Sequence, residues 1–150
     1  MRDLKHSEKN SIAIFDKLSG SGLVIYYRTP TTKERIKYSS EQAQNLNTAN
    51  FENVFETQIG WAEKLITGFS NNSFGYDEKP VSSDKESEHY QPDWMKMLKE
   101  TSSDLLMLFT ESVMGKTAFV VKMGGVSEDF FTKSSGNGTE PGQKKSETTT

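Results

Sequence analysis

Two histidines and no cysteine limit the chemistry open to this chain. His89 stands among Asp84, Glu86, Glu88 and Asp93, whose oxygens a hard cation would accept. Their spacing matches no zinc or calcium motif, and a charge run of this kind reads as a solvated loop. His6 lies in a polar terminal stretch. Asp77 beside Glu78 and Glu128 beside Asp129 pair carboxylates, but general acid–base work needs such groups desolvated in a cleft. Both pairs sit in polar connections. Gly20, Gly22 and the Gly124-Gly125 pair fit neither a phosphate loop nor a dinucleotide fingerprint and read as turns. The absence of cysteine excludes disulfides, thiolate catalysis and cysteine zinc sites. No catalytic, cofactor or metal set emerges, and the expectation is a protein that is not an enzyme.

The aromatic residues offer a different kind of chemistry. Trp61, Phe69, Phe74, Tyr76, Tyr90 and Trp94 gather around one long polar connection. One reading places Trp61 and Trp94 in the core, where large rings usually go. The other makes Trp61, Phe69, Phe74, Tyr76 and Trp94 an exposed anchor for a protein partner, since Trp and Tyr are enriched at binding hot spots. Phe74 and Tyr76 suit that role best because no periodic element claims them. Met95, Met97, Met107 and Met114 add adaptable apolar surface, with ordinary core packing as their plainer role.

The elements that must hold these residues start with a strand, a corner and a helix. Tyr27-Arg28-Thr29-Pro30-Thr31 ends an apolar run, and Pro30 disfavours helical geometry at Thr29. Thr31 and Glu34 have capping-box spacing, so a helix opens there. Before it, Ile12 to Phe15 and Leu23 to Arg28 flank Ser19-Gly20-Ser21-Gly22, which predicts a hairpin. A longer helix is predicted over 48–67, with Phe51, Val54, Phe55, Ile59, Ala62, Leu65 and Ile66 on one stripe. Asn47 or Thr48 would cap it and Gly68 would stop it in a left-handed conformation. Gly60 within it suggests a close approach of another group to the backbone beside Trp61. Residues 70–91 read as a polar loop, functional or disordered. Pro92 at a first helical position opens a region to Met114 that is one helix or two, with Ser102 or Ser103 able to re-cap it. Residues 118–123 read as a strand or a final helical turn.

The 150 residues include 33% hydrophobic residues and carry a net charge of −3, and mean hydropathy is −0.70. The core must therefore be small. Interspersed charges give no footprint for nucleic acid, and no apolar run nears the roughly 20 residues of a membrane span. Met1 to Asn10 has no apolar stretch of a secretory signal. The fold expected is mainly α with a small N-terminal β-hairpin: a flexible segment at 1–11, one compact helical domain at 12–131, and a disordered tail at 132–150, polar and without periodicity.

Tyr27-Arg28-Thr29-Pro30-Thr31 leading to Glu34 and Tyr38, then Trp61…Leu65-Ile66-Thr67-Gly68-Phe69, then Asp77-Glu78-Lys79-Pro80-Val81, occur in a telling order. That order resembles the tail assembly chaperones of long-tailed bacteriophages over about residues 12 to 115. In that family an R-x-P-T turn opens the helical part and an I-T-G-aromatic exit precedes a D-E-x-G-K-P loop. This chain lacks the glycine before Lys79 and has a longer acidic insert at 82–90 and an extra segment at 118–131. The resemblance implies structural roles for Arg28, Pro30, Thr31, Glu34 and Gly68. It implies a non-enzymatic protein of the host cytoplasm that coats the helical tape measure protein, keeps it soluble during tail assembly and is absent from the mature virion. Contact with the tail-tube protein and self-association belong to the same implication; nucleic acid and membrane do not. The other reading is a structural minor tail or tail-completion protein of a phage or prophage.

Overall fold

In the computed structural model, which describes residues 4–115, the first apolar runs form the hairpin their sequence predicts. β1 (Asn10–Asp16) and β2 (Ser21–Tyr27) pair antiparallel from Asn10 opposite Tyr27 to Asp16 opposite Ser21. The Asp16 carboxylate accepts the Leu18 and Ser19 amides, and Gly20 takes a left-handed φ of 67° to close the turn. Strand alternation turns Ile12, Ile14, Leu23, Ile25 and Tyr27 inward, and Ser11, Ala13, Phe15, Val24 and Tyr26 outward. The polar approach is tied down as well: Ser7 exchanges hydrogen bonds with Thr29.

The corner after β2 forms as its residues dictate. Thr31 caps α1 (Thr32–Asn47) with a complete capping box: its Oγ1 accepts from the Glu34 amide, and Glu34 Oε2 accepts from the Thr31 amide. Arg28 adds a two-pronged bond to the same carboxylate, at 2.9 and 2.7 Å. That guanidinium does most to hold the Glu34 carboxyl down to about 2; burial opposes it and the Thr31 amide assists. The Arg28 guanidinium is pushed up by the same contact.

α2 (Phe51–Leu65) runs back along α1. The buried Asn45 amide pins the pair by donating to Gln42, to the Asn53 carbonyl and to Thr57. The cap is Asn50, whose side chain accepts the Asn53 amide; Asn47 and Thr48 instead finish α1. Without a connecting loop, the chain passes into β3 (Ile66–Phe69), which pairs antiparallel with β2 and gives the order β1-β2-β3. Ile66 and Thr67, expected as the last helical residues, are thus strand, and Gly68 is a strand residue instead of a helix stop. The stripe continues in helical step through Ile66, but two β-branched residues beside the open edge of β2 favour pairing there.

The polar connection is built, too. β4 (Phe74–Tyr76) and β5 (Lys79–Val81) form a second antiparallel hairpin. Asp77 and Glu78 both have positive φ, 50° and 61°, as a tight two-residue turn requires. Beyond it, the Ser82 amide bonds the His89 carbonyl and the Gln91 amide bonds the Ser82 carbonyl, closing an ordered loop. Two helices follow: α3 (Trp94–Thr101) and α4 (Ser103–Met114), broken at Ser102, whose backbone (φ −138°, ψ 38°) leaves helical geometry. Pro92 lies before the first helical turn, not in it.

The expectation of a mainly α fold is therefore corrected. About 46% helix and 23% strand, in four helices and two antiparallel sheets among the described residues, make this an α+β fold. Strands of three or four residues are too short to leave a period in the sequence, so three of the five were not foreseen. One face of the larger sheet packs on α2 and α4, with Ile25, Leu65, Leu106 and Phe109 fully enclosed. Residues 118–123 and the tail at 132–150 lie outside the described residues.

Glu34→Gln should cost about 2 kcal/mol at neutral pH, since it removes one charged bond pair and weakens a cap. A group whose folded pKa is depressed stabilises above its unfolded value. Glu34's contribution is thus complete above pH 4.5 and is lost as pH falls through about 2. Denaturant melts of both proteins should converge over that interval.

Candidate functional site

The structure separates the aromatic set instead of gathering it into one anchor. Trp61 is only 4% exposed. Its ring nitrogen donates to Glu41 at 2.8 Å, Tyr38 meets it edge-on at 6.4 Å, and the Lys64 ammonium lies 4.5 Å above its ring. It bolts α1 to α2. Phe69 is buried as well and serves as a hub, with Phe74 at 4.7 Å and Trp94 at 5.6 Å, both edge-on. Those half-buried rings fasten the second hairpin and α3 to the sheet. Of the five candidates only Tyr76, 61% exposed, stands free for a partner.

Two of the residues assigned structural roles, Arg28 and Gly68, meet at one place. Arg28, Gly68 and Phe69 line an open groove of about 860 Å³ whose floor includes Tyr26 and whose walls include Lys9, Ser83 and Asp84. Three of its polar side chains are already engaged. Ser83 Oγ accepts the Phe69 amide at 2.9 Å and donates to the Phe69 carbonyl, Arg28 is held by Glu34, and Asp84 accepts the Glu86 amide. No imidazole or carboxylate activates a hydroxyl among the lining residues. A Cβ on Gly68 would lie 2.7 Å from Ser83 Oγ, so glycine is required there by close approach and not by a left-handed φ. Around Gly60, by contrast, nothing lies within 4 Å of such an atom; the close neighbour expected there is not found. Pro30, buried, and Thr31 do not line the groove, and Glu34 is linked to it only through Arg28.

The acidic run around His89 does not converge. His89 lies 3.4 Å from Glu88 with both largely in solvent, and no group of three potential ligands assembles among the described residues.

What sequence reasoning missed is a helical face. Phe51 and Phe55 were assigned to the buried stripe of α2, yet they are 62% and 52% exposed. α4 covers α2 at Gln58: Thr110 Oγ1 donates to the Gln58 carbonyl at 2.6 Å, and the Gln58 amide reaches Glu111. One and two turns before Gln58, on the same row, the phenylalanines have no covering helix. Glu52 and Glu56, both exposed, flank them. Leu46 is exposed at the end of α1, and Phe15 and Tyr26 are exposed on the outer sheet face. The signal available was the polar Gln58 interrupting the stripe.

No helix among the described residues is long and apolar enough to cross a membrane. Compared with known proteins, the chain matches no family model, no curated protein and no solved structure.

Gly68→Ala should cost about 1–2 kcal/mol by displacing Ser83 from Phe69, and Ser83→Ala about 1 kcal/mol. With both changes the cost should fall well short of the sum, because the new Cβ then meets only the Ser83 Cβ, at 3.5 Å. A double-mutant cycle by urea denaturation checks this.

Proposed function

We propose that this protein is a tail assembly chaperone of a long-tailed phage, acting in the host cytoplasm by lending apolar surface to the helical tape measure protein. The observation that supports it best is the pair Phe51 and Phe55, one turn apart and open on α2. An amphipathic helix laid along them would bury both rings, the recognition mode in which apolar side chains at helical spacing dock against a helical face. Glu52 and Glu56 beside the pair, and Glu111 against Gln58 one turn on, favour a client whose rim carries lysine or arginine. The motif order at Arg28–Glu34, Ile66–Phe69 and Asp77–Val81 supplies the second support.

Release without chemistry suits such a surface. Two exposed rings and a rim of carboxylates give contact too small for very tight binding, so tail-tube subunits can displace the chaperone. It would then be missing from finished particles. A minor tail or tail-completion protein would be retained in them, and mass spectrometry of purified virions separates the two.

Co-expression with the long coiled-coil product of a neighbouring gene should give a soluble complex that survives size exclusion. Phe51→Ser with Phe55→Ser should weaken it by at least about tenfold while changing stability by only about 0.5 kcal/mol, since both positions are solvent-facing. A client left insoluble by the unsubstituted chain would overturn the proposal.

A further inference from the structure

The three-stranded sheet has two outer edges, and the fold treats them differently. At β3 the edge is covered, with Ser83 bonding both the amide and the carbonyl of Phe69. At β1 it is open. Among the described residues nothing except β2 bonds the backbone of Ser11, Ile12, Ala13, Ile14 or Phe15. Natural sheets guard such an edge with lysine, proline or a bulge. Those five residues contain none of these.

From this edge we infer that a second copy of the same chain pairs with β1, antiparallel across a two-fold axis at Ala13. The strand's own sequence supports that occupant. With Ala13 opposite Ala13, Ile12 faces Ile14 on the core side, Ser11 faces Phe15 on the outer side, and Asn10 faces Asp16 at each end. No charge opposes its like within the seven paired residues, and residues directly opposite share a face, as antiparallel pairing demands. Phe15 is 69% exposed and lies opposite Gly22 in its own hairpin, so its ring has nothing to pack on there. In the pair it would lie across the small side chains Ser11 and Ala13 of the second copy. Half-buried Ile12, at the rim of the core, would be covered by Ile14 of that copy. The two sheets become one of six strands, closed by two-fold symmetry.

Seven paired residues make a small interface, in the class of weak, concentration-dependent association below about 1,200 Å². This interface is independent of the Phe51–Phe55 face. Sedimentation velocity of the full chain should therefore show a monomer–dimer equilibrium by about 0.5 mM, the range of weak interfaces. Ser11→Lys with Phe15→Lys places lysine opposite lysine and should weaken the dimer at least about tenfold. Ser11→Lys with Phe15→Glu places lysine opposite glutamate in this register alone and should restore it. Both positions face solvent, so circular dichroism and melting should match the unsubstituted protein and separate misfolding from lost pairing. A chain monomeric throughout, a dimer untouched by the lysine pair, or no recovery with the lysine–glutamate pair would each overturn the inference. Any of these outcomes leaves client binding through α2 intact.

Discussion

A single carboxylate joins the three parts of this fold. Glu34 takes both prongs of the Arg28 guanidinium and the amide of Thr31, while the Arg28 amide bonds the Leu65 carbonyl at 3.0 Å. The end of β2, the start of α1 and the passage from α2 into β3 are thus fixed by two adjoining side chains and one backbone bond. Charge assistance makes the contact strong, and its position at a helix N-terminus adds the favourable sign of the helix dipole. Pro30, buried and between them in sequence, fixes the angle of entry. That corner sets how α1 leaves the sheet.

Everything laid on the corner shares a modest core. The inner face of one three-stranded sheet, one side of α2 and the apolar rows of α3 and α4 use up most of the large apolar residues. Specificity within this core comes from polar groups placed where they can bond. Asn45 locks α1 to α2, and Thr110, completely buried, locks α4 to α2 through the Gln58 carbonyl. Among the described residues no buried side-chain polar atom lacks a hydrogen-bond partner. Such satisfied groups fix register at little net cost, whereas leucine at either place would permit neighbouring helices to slide.

What could be read in advance follows from the range of the forces involved. The hairpin, the corner and the capping box were legible because each is settled by residues a few positions apart: Pro30 acts on Thr29, and Thr31 on Glu34. α2 was legible in type but not in extent, since Ile66 continues its stripe and only the distant edge of β2 pulls it into a strand. β4 and β5 were hidden by their length, although Asp77-Glu78 carried the turn. The site was least legible. Trp61 and Phe69 have the composition of hot-spot residues but are held inside by Glu41, Tyr38, Phe74 and Trp94, contacts made across the fold. Phe51 and Phe55 follow a core period and are exposed only because the contact of α4 with their row is made at Gln58.

The change from a mainly α to an α+β architecture alters what the surface can do. A helical bundle satisfies its backbone internally and offers partners only side chains. A sheet with helices on one face leaves an outer face and at least one edge, where backbone amides and carbonyls can recognise another strand. Among the described residues, one edge is covered by Ser83 and the other, at β1, is left open between exposed Ala13 and Phe15. The helical face at Phe51 and Phe55 is a separate resource on a different element. On the two proposals made above, the β1 edge would read a strand through backbone geometry, and the α2 face would read a helix through aromatic packing and negative charge. Because the two proposed contacts use different residues, neither would compete with the other.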